Sequence, residues 1–241
     1  MNIFLTGATG FLGSAIAAEL IRGRHDVTAL VRSSTSAARV LSYGIEAHLG
    51  DLRDPSTYKN AACSADAVVH AGVESGSDRM DVDRTFVEAL ASPKLIYTSV
   101  LFVLGDVDDG DEDSPASGTR AEHEQIVLRA GGAVIRPGMI RGEGAWLFQN
   151  PMFIGDGNNR WPLVHREDVA TLVRLVVEKS ARGIFHAISE VRRAREVFAG
   201  IEGTPLDDAR AMLGGFADAL ALDQNVRATR SRALGWTPAQ Q

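Results

Sequence analysis

Three glycines are the residues best placed to do chemistry, spaced three apart in Thr6-Gly7-Ala8-Thr9-Gly10-Phe11-Leu12-Gly13. Gly7 permits a tight turn, Gly10 lets a pyrophosphate approach bare backbone, and Gly13 lets a helix pack close to a sheet. The free amides at the helix start, around Thr9, Phe11 and Leu12, would then face phosphate oxygens with the helix dipole in favour. A glycine triplet alone could be a plain turn. Here it follows the apolar run from Met1 to Thr6 and opens a helical pattern, the context that points to a dinucleotide site. The second apolar run ends Leu30-Val31-Arg32-Ser33-Ser34. A site for NAD usually carries a carboxylate there, bonding the ribose hydroxyls. Arg32 cannot accept such bonds, whereas a guanidinium beside Ser33 suits a 2′-phosphate. NADP is therefore expected in preference to NAD; the alternative is an Arg32 that is simply solvated.

These residues need a scaffold. Met1–Thr6, Val27–Val31, Ile45–Leu49, Ala67–Ala71 and Leu95–Ser99 read as buried strands. Between them lie helical patterns at Phe11–Arg22, Pro55–Ala62 (capped by Asp54) and Met80–Ala91. Strands alternating with helices predict an α/β fold, a Rossmann-type doubly wound parallel sheet. Beyond Ser99 the rhythm loosens. Gly105–Gly118 reads as an acidic loop that is either solvated or holds a cation. Thr119–Ala130 reads as a helix, Ala133–Arg136 as a strand, Gly142–Trp161 as irregular, Asp168–Lys179 as an apolar helix and Ile184–Ile188 as a strand. Arg192–Ala199 and Leu206–Leu222 look helical. The expected organisation is one domain over 1–241, with 139–163 and 189–241 contributing a small substrate or lid region.

Beyond its TGATGFLG string, the chain resembles the extended and atypical short-chain dehydrogenases/reductases, which include nucleotide-sugar epimerases. The resemblance continues through Gly50-Asp51-Leu52-Arg53-Asp54, His70-Ala71-Gly72, Tyr97-Thr98-Ser99, Arg136-Pro137-Gly138, Val164 to Ala170 and Leu234-Gly235-Trp236-Thr237-Pro238. It implies that Asp51 and Leu52 lie at the adenine. It implies that His70, Ala71, Gly72 and Thr98 line the cofactor, and that Pro137 is near the nicotinamide. The family's usual tyrosine, with a lysine four residues later, is missing: Ala116 and Arg120 stand at those positions. An arginine stays protonated and cannot shuttle a proton, but it can hold ribose or substrate charge. The usual catalytic serine falls on Val100. Its neighbour Ser99 is the catalytic candidate, the alternative being a serine that only lines the cofactor. Tyr97 is expected to pack in the core and His123 to lie at the surface or in the groove rather than relay a proton.

The remaining residues set bounds. A net charge of −6 and the lack of any basic run argue against nucleic acid. No stretch approaches the ~18 apolar residues of a membrane span, and the N-terminus lacks signal-peptide features. With the single Cys63, expected to be buried or half-buried, this suggests a cytoplasmic protein. No His/Cys/Asp cluster has metal-ligand spacing, so no metal is expected. Trp146, Phe148 and Trp161 could line an apolar substrate pocket. Met80–Ala91 and Thr119–Ala130 correspond to the helices through which relatives dimerise, which suggests a homodimer. The function expected is an NAD(P)-dependent oxidoreductase or epimerase-like protein acting on a small carbonyl, alcohol or sugar-like substrate. The alternative is a non-catalytic NADP(H)-binding sensor.

Overall fold

The computed structural model describes residues 1–239. Its chain alternates β1 (Asn2–Thr6), α1 (Phe11–Arg22), β2 (Asp26–Val31), α2 (Ser34–Leu41), β3 (Glu46–Leu49), α3 (Lys59–Ser64), β4 (Ala67–His70), α4 (Arg79–Leu90) and β5 (Leu95–Thr98). There follow β6 (Val107–Gly110), α5 (Thr119–Arg129), β7 (Ala133–Pro137), β8 (Met139–Arg141), α6 (Trp146–Gln149), β9 (Arg160–His165), α7 (Arg166–Glu178) and β10 (Gly183–Ala187). The last elements are β11 (Glu190–Arg193), α8 (Ala194–Val197), α9 (Leu206–Leu213), α10 (Phe216–Ala221), β12 (Gln224–Val226) and α11 (Thr229–Ala233).

Seven strands form a parallel sheet in the order β10-β7-β5-β4-β1-β2-β3. The chain moves outward from β1 to β3, then returns to β4 on the other side. Ligands of such sheets bind at that reversal, beyond the carboxyl ends of β1 and β4. The inner strands are mostly apolar on both faces because helices cover both, whereas the edge strand β3 (Glu46-Ala47-His48-Leu49), expected to be buried, is half-exposed. One cluster joins Leu5, Ile16, Leu20, Val69, Leu172 and Val176. The other joins Phe4, Tyr58, Phe86, Leu95 and Val134.

A smaller sheet, β11-β9-β8, carries a third cluster that includes Met139, Leu147, Phe153, Trp161, Phe198 and Leu220. Two aromatics expected at a pocket belong to this cluster instead. Trp161 is buried and donates from Nε1 to the Leu220 carbonyl at 2.9 Å, and Phe148 packs edge-on against Phe198.

Several expectations need correction. The acidic segment is not a free loop: Val107–Gly110 is a strand paired in parallel with β12. Its carboxylates meet Arg160 from Asp108, Arg227 from Asp109 and Arg230 from Asp113. Pairing with a strand more than a hundred residues away, which local composition cannot show, gives this stretch its structure, and the exposed ion pairs add little. Arg192–Ala199 is not one helix but the end of β11 followed by one turn, and Pro55–Thr57 is a 3-10 turn ahead of α3. Asp54 does cap that turn, its Oδ1 accepting from the Ser56 amide at 3.0 Å. Cys63, at the end of α3, is exposed rather than buried.

Candidate functional site

The loop after β1 touches the loop after β4 so closely that side chains are excluded. Gly7 has φ +74°, and a Cβ there would lie 2.5 Å from the Ala71 carbonyl oxygen. A Cβ on Gly13 would lie 2.0 Å from the Gly7 oxygen. The Gly10 amide closes the turn onto the Gly7 carbonyl at 2.8 Å. Gly10 is also the N-cap of α1, and no side chain caps that end. The first amides of a helix are orphan donors, so an uncapped start is a ready anion site. Phe11 is steadied by the Arg166 guanidinium, 5.5 Å from its ring centre.

Over this loop lies a cavity of about 760 Å³, of a size suited to a large organic ligand. Its floor is Gly7, Thr9, Gly10, Phe11, Leu12 and Gly13. At one end, past β2 and β3, are Leu30, Arg32, Ser36, Gly50, Leu52 and Glu74. Ala71, Gly72, Thr98, Ser99, Arg120 and Pro137 line the middle. Opposite stands an apolar wall of Val100, Phe102, Met139, Ile140, Trp146, Leu147 and Phe216. Phe102, in the turn after β5, and Phe216, at the start of α10, were missed in the sequence, because nothing local shows that either side chain reaches the cavity.

Three expected site residues do not line this space. Ser33 is the N-cap of α2, its hydroxyl accepting from the Ser36 amide at 3.1 Å. Asp51 turns back to accept from the Arg53 amide at 2.9 Å. His70 is buried behind the middle of the cavity, where Thr98 bonds its carbonyl. Arg136, next to Pro137, is also buried, in a 2.6 Å ion pair with Glu124. Arg32 does line the cavity, but its Nη1 already donates to Glu74 Oε2 at 2.8 Å.

Behind the middle of the cavity lies a polar network that sequence reasoning did not find. Asp83 of α4, 4% exposed, is its hub. It accepts from His70 Nε2 at 3.0 Å, from the Tyr97 hydroxyl at 2.5 Å and from His123 Nδ1 at 2.6 Å. Both His70 nitrogens are satisfied if it carries its hydrogen on Nε2 and accepts from Thr6 Oγ1 at Nδ1, 2.6 Å away, whereas His123 Nε2 is buried without a partner. Thr6 in turn accepts from the Gly72 amide at 3.1 Å. Burial alone would raise the Asp83 carboxyl, but hydrogen bonds from His123 and His70 outweigh it and hold the group well below the usual carboxylate range. Burial also pushes the Tyr97 phenol far above its ordinary value; Arg120 opposes that rise and Asp83 adds to it. Tyr97 is thus a hydrogen-bonding core residue, and His123 is fully buried rather than at the surface. Arg120 joins the network to the cavity, its Nη1 donating to the Tyr97 oxygen at 3.1 Å. The signal for Asp83 was present: it shares one helical stripe with Phe86, Val87 and Leu90.

Ser99 is 3% exposed, lines the cavity and has an Oγ with no hydrogen-bond partner. Thr98, beside it, is committed to the His70 carbonyl at 2.7 Å.

A glycine cradle, an uncapped helix and a long cavity at the switch of strand order are general features; a sequence match makes them specific. Residues 7–179 match the model of a family described as NAD(P)H-binding. The chain belongs to this family. This NAD(P)H-binding chain is 30% identical to the uncharacterized protein YLL056C of Saccharomyces cerevisiae, over 100% of its own length and 95% of that protein's. It is 28% identical to 2-alkyl-3-oxoalkanoate reductase of Stenotrophomonas maltophilia, over 76% of this chain and 67% of that enzyme. Its fold matches the human epimerase family protein SDR39U1, solved with NADPH, at a TM-score of 0.78 and 17% identity, covering 99% and 95% of the two chains. The resemblance to the atypical short-chain dehydrogenase/reductase group therefore holds. Among the described residues, no helix is long and apolar enough to cross a membrane.

Proposed function

We propose that this protein is an oxidoreductase that uses NADPH in preference to NADH and acts on a small apolar carbonyl compound or its alcohol. The carrying observation is the unpartnered Ser99 hydroxyl, buried in the cavity between Arg120 and the apolar wall. The residues fit a dinucleotide: the cradle at Gly7 and Gly13 would be filled by any Cβ, and the α1 amides meet no side-chain cap. When bound, the nicotinamide supplies the hydride chemistry. Arg32 favours a 2′-phosphate. Arg120, held by Tyr97, offers its remaining N–H groups to ribose or substrate oxygens. Ser99 donates to the substrate oxygen and stabilises the charge that develops there. Val100, Phe102, Met139, Trp146, Leu147 and Phe216 exclude water and receive an apolar substituent. A wall without charged or amide side chains gives a sugar nothing to bond, which favours an apolar substrate over a sugar nucleotide. The oxoalkanoate reductase among the relatives supports the same reading.

The test is turnover of NADPH with a panel of apolar ketones, run beside UDP-glucose and dTDP-glucose. Ketone reduction that falls about 100-fold in Ser99→Ala is expected. Turnover confined to the sugar nucleotides would overturn the substrate reading. Arg32→Ala should weaken NADPH more than NADH; equal losses would overturn the preference. A second reading rests on Ala116 and Arg120, which replace the usual proton-transfer pair. It makes the chain a cofactor-binding sensor, and it prevails if NADPH binds tightly yet no carbonyl is turned over.

A further inference from the structure

The end of β2 carries no carboxylate, yet one reaches the same place from elsewhere. Glu74, in the segment after β4, is the only acidic residue lining the cavity among the described residues. Its side chain is 5% exposed, whereas that of Arg32 is 60% exposed. The carboxylate is thus the fixed member of the pair and the guanidinium the mobile one. Glu74 Oε2 stands 2.8 Å from Arg32 Nη1 and 3.9 Å from Arg53 Nη2. Arg53 is otherwise paired with Asp78. Glu74 and Asp78 thus already neutralise Arg32 and Arg53, and Asp51 adds a further negative charge beside Arg53.

We propose that Glu74 sets the cofactor choice, its carboxylate competing with a 2′-phosphate for Arg32 and Arg53 and accepting the bond of a 2′-hydroxyl instead. The proposal rests on the reading of the cavity as a dinucleotide site. A phosphate monoester brings a charge of roughly −1.5 to −2, and it must meet two guanidiniums already neutralised. A 2′-hydroxyl brings no charge and has a donor that suits a buried carboxylate. Arg32 alone would make the preference for NADPH strong; Glu74 holds it down, so both cofactors are used. Arg53, which the sequence reading did not single out, is the second cation of the site.

Glu74→Gln separates these effects. The glutamine keeps the volume and an acceptor oxygen for Arg32 but removes the charge. Fluorescence titration of the wild type and the variant with NADPH and with NADH reads the result. The expected outcome is NADPH binding about tenfold tighter in Glu74→Gln, about 1.4 kcal/mol, with NADH binding unchanged or weaker. The NADPH gain should shrink at high salt, since Arg32 is exposed. A second variant, Arg53→Ala, alters only a half-exposed side chain and should weaken NADPH more than NADH. If both cofactors bind but their ratio moves less than about twofold in Glu74→Gln, the role of Glu74 is overturned while the site stands, whatever Arg53→Ala does. Binding of neither cofactor to the wild type overturns both.

Discussion

Replacing Asp83 by Asn tests whether the network behind the cavity depends on a buried charge. Asp83 accepts three hydrogen bonds, from His70, Tyr97 and His123, with its side chain 2% exposed. Bonds to an ionised group are worth about 1.5–3 kcal/mol against about 0.5–1.5 for neutral ones. Converting three of them forfeits roughly 1–1.5 kcal/mol each, and the amide nitrogen also confronts a donor. Relief of the carboxylate's desolvation offsets part of this. The net expectation is a loss of about 3 kcal/mol. For a chain of this size that lowers Tm by roughly 6–12 °C. Urea denaturation at pH 7, followed by the fluorescence of Trp161 and Trp236, measures it. Asp81→Asn, at an exposed position of the same helix, should cost less than about 1 kcal/mol. A loss below about 1 kcal/mol in Asp83→Asn would refute the argument, because three charge-assisted bonds cannot be exchanged that cheaply.

Three further outcomes follow from the structure. Burial pushes His186 down to about 4, a shift only partly offset by its hydrogen bond to the Arg227 carbonyl; the unfolded side chain titrates near ~6.5. The unfolded state therefore binds more protons between these values, so stability is full above about pH 6.5 and falls by up to about 3 kcal/mol toward pH 4. Denaturation curves across that window should show the slope, and His186→Gln should flatten it. Gly13→Ala places a Cβ 2.0 Å from the Gly7 oxygen, so NADPH affinity in a titration should fall at least about tenfold along with some stability. Glu112, 1% exposed, accepts from the Arg230 amide at 3.0 Å. Glu112→Ala should cost about 2–3 kcal/mol by urea denaturation, against less than about 1 for the exposed pair broken by Asp109→Asn.

Strands β1, β2, β4 and β5 were legible because each is a short apolar run between turn residues, and burial on both faces writes that pattern directly; β3 forms where expected but is a half-exposed edge strand, Glu46-Ala47-His48-Leu49, not a buried one. The glycine loop was legible because backbone contact at Gly7 and Gly13 admits no other residue. Strands β9 and β11 were not: Arg160, Arg192 and Arg193 break their apolar character, and their pairing depends on segments far apart. Strand β6 was hidden for the same reason, its Val107-Asp108-Asp109-Gly110 finding its ladder partner only in β12. Ser33 and Asp51 were placed in the site by position along the chain, but local capping bonds claim their side chains. Glu74 and Arg53 were invisible as a pair because they converge from two different loops.

The pairing of β6 with β12 also bears on how the chain is made. The strands β1 to β5 pair with one another within the first hundred residues, although the face carrying α1 is covered only once α7 is made. The neighbourhood of Glu112 and His186 is completed later still. The amide of Arg230, the carbonyl of Arg227 and the Ser231 hydroxyl, which donates to the His186 carbonyl at 2.6 Å, all arrive more than forty residues after His186. Until translation reaches them, a buried carboxylate and a buried imidazole stand uncovered. Strands β1 to β5 can therefore pair early, while the far edge stays open until residues 227–231 have been made.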